Sequence, residues 1–161
     1  NAPPPPQAQV VQRPAQKVYA LRHHGPLATI PHTQRRLQRH LGARAMPSHW
    51  LGASYGDPDD PVNFRYYAAA ALPEPWPAVD SHAGFEVFEI PAGRYAQHRL
   101  SGPYTRISAT VGALYQSWLP GSGYEPDDRP MLEHYLNSPG EVAPAELLTD
   151  LLLPIRSASP P

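Results

Sequence analysis

Residues 18–26, VYALRHHGP, and residues 95–103, YAQHRLSGP, decide the fold. Each begins with strand-compatible residues and ends on Gly-Pro, where the chain must turn. The residues beyond each turn repeat too: Arg22, Gly25, Pro26, Ile30, Thr33 and Leu37 recur as Arg99, Gly102, Pro103, Ile107, Thr110 and Leu114 at one constant offset. After the second turn, Ile107, Val111, Leu114, Tyr115 and Trp118 fall on one stripe of an amphipathic helix, with Thr105 as its expected N-cap. After the first, Ile30, Leu37 and Leu41 keep that spacing, with Thr29 as cap and Pro31 tolerable in the first turn. Arg35, Arg36 and Arg39 on this helix read as a solvated face rather than a phosphate-binding patch.

Further matches are weaker. Pro58-Asp59-Asp60 recurs as Pro126-Asp127-Asp128 and Tyr67 as Tyr135, at a shorter offset. NFRYYAAAAL therefore pairs with MLEHYLN as the next strand of each copy, and SHWLGASY becomes a strand inserted in the first copy. Closing strands are expected at 85–90 and 147–155, and FEVFEIPAGRYAQHR as a hairpin turning at Pro91-Ala92-Gly93. The expected fold is α+β: two strand-helix-strand-strand units related by a pseudo-two-fold axis, superposing as residues 17–91 and 92–156, with helices covering one sheet face.

Composition narrows the function. The chain has 161 residues, 41% of them hydrophobic, enough for one ordinary domain. Thirteen basic against fourteen acidic residues give a formal charge of −1, so no net field draws nucleic acid or anionic lipid. With no Cys, disulfides, thiolate zinc sites and cysteine nucleophiles are excluded. The eight His form no HExxH or HxH, and His23 and His24, adjacent on a strand, point to opposite faces. No serine-nucleophile elbow or Gly-rich phosphate loop is present, and no cofactor or metal is expected. No apolar run is long enough for a membrane helix, and the expectation is a cytoplasmic chain without a membrane partner. Residues 1–15, opening NAPPPPQAQ, read as a tag remnant and Pro-rich linker from a larger parent, residues 16–156 as the domain, and 157–161 as a tail.

Four segments in order resemble the GyrI-like family: the arginine-bearing strand into Gly-Pro, then EIPAGRYAQHRLSGPY, LYQSWLPGSGYEPDDRPMLEHY and TDLLLPI, together spanning about residues 17–156. The resemblance implies a pseudo-symmetric effector-binding domain that takes small, lipophilic or cationic molecules, multidrug ligands among them, in a groove between its halves. It implies the ligand-sensing part of a bacterial transcription regulator, of AraC type in the preferred reading, which reaches DNA only through a separate upstream domain. A stand-alone hydrolase that activates water with an acid, or a gyrase-inhibitor-like module that binds a protein, are the alternatives. The family's acidic residue matches Glu133 in LEHY, with Tyr135 beside it on the same strand face. The repeat sets Arg65 and Tyr67 at the corresponding places of the other half, where the guanidinium is a candidate partner for the acid. Trp50 and Trp76 complete the expected ligand-binding set, whose ring faces would attract a cation.

Overall fold

The computed structural model describes residues 4–42, 45 and 47–158. The chain divides into two compact units, one of residues 15–91 and one of residues 92–161 together with residues up to 14. Nine strands and two helices are present among the described residues, and the strands pair antiparallel. The architecture is mixed α+β, as expected. No helix among the described residues is long and apolar enough to cross a membrane.

In the unit of residues 15–91, β2 (Gln16–Arg22) is flanked by β4 (Arg65–Ala71) and β5 (Phe85–Ile90), and β3 (His49–Tyr55) pairs with β4. Helix α1 (Ile30–Leu41) packs Ile30, Leu37 and Leu41 onto Tyr19, Leu21, Tyr66, Ala68, Ala70 and Phe85, which alternate along their strands and share one sheet face. Arg35, Arg36 and Arg39 lie outside that packed stripe, as a solvated face requires, and Arg36 donates to the Ala83 carbonyl.

The other unit is centred on β6 (Gly93–Ser101), flanked by β1 (Gln9–Arg13) and β9 (Leu148–Ser157). β9 in turn pairs with β8 (Met131–Tyr135) and with the short β7 (Tyr124–Pro126). Helix α2 (Ile107–Ala113) continues through a π-helical turn, Leu114–Trp118, and a 3-10 turn, Leu119–Gly121. All five predicted stripe residues pack against Ala96, Leu100, Leu151, Leu153 and Ile155.

The two Gly-Pro turns are nearly identical. Gly25 and Gly102 have φ of 110° and 134°, a backbone conformation favouring glycine. Pro26 and Pro103 come next with ψ of 151° and 153°, and a single 3-10 turn leads into each helix. Neither threonine caps as expected. The Thr29 hydroxyl donates to the Pro26 carbonyl, and the second cap position is Arg106, not Thr105.

Strand membership differs from the sequence expectation in three ways. The stretch expected as a linker contains β1, which precedes β2 in the chain yet pairs with β6; residues 1–3 and 159–161 lie outside the described residues. The expected hairpin is absent, because β5 pairs with β2 while β6 lies between β1 and β9. A tight turn there needs a left-handed residue, and Gly93 is not among the glycines with positive φ. The SHWLGASY strand is no insertion. With Arg22 matched to Arg99, the registers Arg22–Tyr67–Ala53 and Arg99–Asp150–His134 make β3 the counterpart of β8 and β4 that of β9. The strand-helix-strand-strand pattern therefore stands, as β2-α1-β3-β4 and β6-α2-β8-β9, with other members.

Gly93 is glycine for a different reason: a Cβ there would overlap the Arg129 guanidinium. Arg129 is mostly buried, lies 4.6 Å from the Tyr95 ring centroid, and donates to Asp127 (2.8 Å) and to the carbonyls of Arg94 (2.6 Å) and Ile155 (3.0 Å). It thereby clasps the paired ends of β6 and β9 and holds the Asp127 carboxyl below its usual range. Gly93→Ala should displace this guanidinium and lower stability by about 1 to 3 kcal/mol, the scale of overpacking. Urea denaturation tests it, and unchanged stability would contradict the clasp.

Candidate ligand site

On β8 the side chains alternate: Leu132 and His134 are buried, while Met131, Glu133 and Tyr135 are half-buried on the other side. Met131 packs with the core beneath α2, so Glu133 and Tyr135 lie on the helix-covered face of their unit. Glu133 pairs in register with Leu151, which pairs with His98. The Tyr135 hydroxyl donates to Glu133 Oε1 at 2.8 Å, as residues two apart on one strand face can do. The Tyr104 ring, delivered by the Gly102-Pro103 turn, stands 5.4 Å from that of Tyr135 at 53°.

Burial pushes the Glu133 carboxyl up from its ordinary value, and the Tyr135 hydrogen bond opposes this in part. The residue keeps some accessible surface, while the surrounding atoms displace much of the carboxyl's hydration. Burial raises the Tyr104 hydroxyl too, reinforced by the negative charges of Glu133 and Glu141. The result is an acid next to two aromatic rings in a poorly hydrated setting, where an arriving cation gains more from a carboxylate than it would in water.

The remaining sequence candidates do not form one lining. Trp50 and Trp76 pack on the core beneath α1, with Trp76 6.4 Å from Tyr19 and beneath the Lys17 ammonium at 4.5 Å. Tyr67 alternates with Tyr66 and Ala68 and so faces the opposite side of the same sheet, edge-on to Phe88 at 5.0 Å. Arg65 shares that side and lies over Tyr55 at 4.6 Å. The expected correspondence of Arg65 and Tyr67 with Glu133 and Tyr135 also fails: the registers match Glu133 with Gly52 and Tyr135 with Ser54. Sequence reasoning missed Tyr104, although its place directly after the second Gly-Pro marked it as fixed by that turn.

Fold and site thus define an α+β module with an acid–tyrosine pair on a helix-covered sheet face. Residues 6–156 match the GyrI-like small molecule binding domain, and the chain belongs to that family. It is 30% identical to a DNA gyrase inhibitor of Serratia proteamaculans, over 80% of this chain and 86% of that one. Its fold is similar to EcmrR in an EcmrR–DNA complex (TM-score 0.80, 16% identity, 94% of this chain), of which it spans 58%. The EcmrR C-terminal domain alone is matched at TM-score 0.72 and 19% identity, over 95% of this chain and 99% of that one. SAV2435 bound to tetraphenylphosphonium is matched at TM-score 0.63 and 12% identity, over 93% and 94% of the two chains.

Because burial holds the Glu133 carboxyl above its unfolded value, the stability this group contributes is complete at low pH and is lost as pH rises through its folded titration. Tyr135→Phe removes the hydrogen bond that opposes burial, so the Glu133 carboxyl should titrate at still higher pH. Carbon-detected NMR titration of both proteins checks this; a lower midpoint in the variant would contradict the assignment.

Proposed function

We propose that the domain binds a small lipophilic cation, with Glu133 as counter-charge and the Tyr135 and Tyr104 rings as apolar walls, and that it is the effector-sensing part of a transcription regulator whose DNA contacts are made by another domain. The observation that carries this reading is the Glu133 carboxyl, desolvated by burial and held by a tyrosine hydroxyl. Tetraphenylphosphonium, named with SAV2435, is a lipophilic cation, and EcmrR is named in a DNA complex. Both support the reading. The near-neutral charge of the chain supports leaving DNA to a separate domain.

In Glu133→Gln the shape stays and the charge goes. Cation affinity should fall by about 1.5 to 3 kcal/mol, the scale of a charged hydrogen bond, which is roughly ten- to over a hundredfold in Kd. A neutral isostere should lose far less. For the wild type, cation binding should strengthen as pH rises through the Glu133 titration, because below it a proton must leave first, and the variant should lack this dependence. Calorimetry with a matched cationic and neutral aromatic pair tests both, and recovery of unchanged ligand separates binding from hydrolysis. Equal weakening for both ligands would overturn the role given to Glu133.

A further inference from the structure

A cavity lies in the same unit, toward the end of β9 away from the register of Glu133. Glu133 registers with Leu151, whereas Tyr124, which lines this cavity, registers with Ser157. The stretch of strand between them is roughly 20 Å long. The cavity holds about 420 Å³. One wall is the N-terminal arm, through Pro5, Pro6, Gln7 and Val10, and the other is the end of the second helix, through Ser117, Trp118, Ser122 and Tyr124.

Trp118 closes a π-helical turn, where the helix is wider. Leu119 N–H bonds the Leu114 carbonyl, five residues back, and such π turns recur at functional sites. Pro120 prevents the helix from continuing beyond. The arm opposite is fastened mainly through its backbone: β1 pairs with β6 while Gln9, Val10 and Gln12 stay exposed, and His98 Nδ1 donates to the Gln7 carbonyl at 2.7 Å.

We propose that this cavity is a second ligand site, for an uncharged, flat aromatic molecule with a hydrogen-bonding group, and that its occupant bridges the arm to the helix end. Its volume lies within the range of small-molecule pockets. Trp118 and Tyr124 offer flat aromatic faces and the two proline rings apolar surface, and Ser117 and Gln7 offer polar partners. Among the described residues, no Lys, Arg, Asp, Glu or His lines it, so a charged ligand would lose hydration without gaining a counter-ion. The Ser122 hydroxyl is already engaged, donating to the Leu119 carbonyl and accepting from Tyr124 N–H. The proposal does not rest on the cation reading of Glu133.

The test uses the full chain and two probes, 2-naphthol and 2-naphthylmethylammonium, titrated by two-dimensional NMR with hydrogen exchange of the β1 amides. Naphthol should bind about tenfold more weakly to Trp118→Ala, keep its affinity for Glu133→Gln, and slow β1 exchange in the wild type. The ammonium probe should show the reverse pattern and leave β1 exchange unchanged. Should Trp118→Ala fail to fold, Pro5→Gly with Pro6→Gly decides: these arm residues lie outside the core, and naphthol should bind the double variant about threefold more weakly. Absence of saturable naphthol binding, or naphthol binding that depends on Glu133 and not on Trp118 or the prolines, would overturn the second site.

Discussion

The reversal at each Gly-Pro constrains everything after it. A left-handed glycine, allowed at little steric cost only because it lacks Cβ, turns the central strand of each unit back so that the next helix lies over the strand just left. Gly25 and Gly102 make this reversal with φ of 110° and 134°. Since each helix covers one face, period-two alternation decides which side chains lie beneath it. Glu133 lies on the covered face because Met131 does; one step along the strand would have exchanged it for His134.

That dependence explains how much of the fold was legible. The helices, their stripes and the two turns are local, and spacing alone revealed them. Strand partnership is not local. The QVVQR of β1 lies near prolines on either side with most of its side chains exposed, so it resembles a linker in sequence, and only backbone pairing with residues far along the chain makes it a strand. Pro58-Asp59-Asp60 and Pro126-Asp127-Asp128 are matching acidic turns that precede strands with different roles, β4 and β8. Identical short motifs misled where register would have corrected.

The site was legible to the same extent. Glu133 and Tyr135 belong together because residues two apart share a face, and their 2.8 Å hydrogen bond results. The short-motif match sets Tyr67 and Arg65 beside them, but a one-residue difference in register moves a side chain to the other face. Tyr67 packs instead with Phe88 and Tyr55. The acid therefore has no acidic or basic counterpart in the equivalent strand, where Gly52 and Ser54 stand, and the duplicated unit became asymmetric at the position that carries charge.

In the proposed binding mode, desolvation keeps the Glu133 carboxyl reluctant to ionise until a cation arrives. The most direct measurement is the titration of that single carboxyl by carbon-detected NMR with and without a saturating lipophilic aromatic cation. Its midpoint should move down by about one pH unit or more on binding, each unit corresponding to about 1.4 kcal/mol of interaction with the charged form. A midpoint that stays in place while the cation binds would show that the charge is met elsewhere.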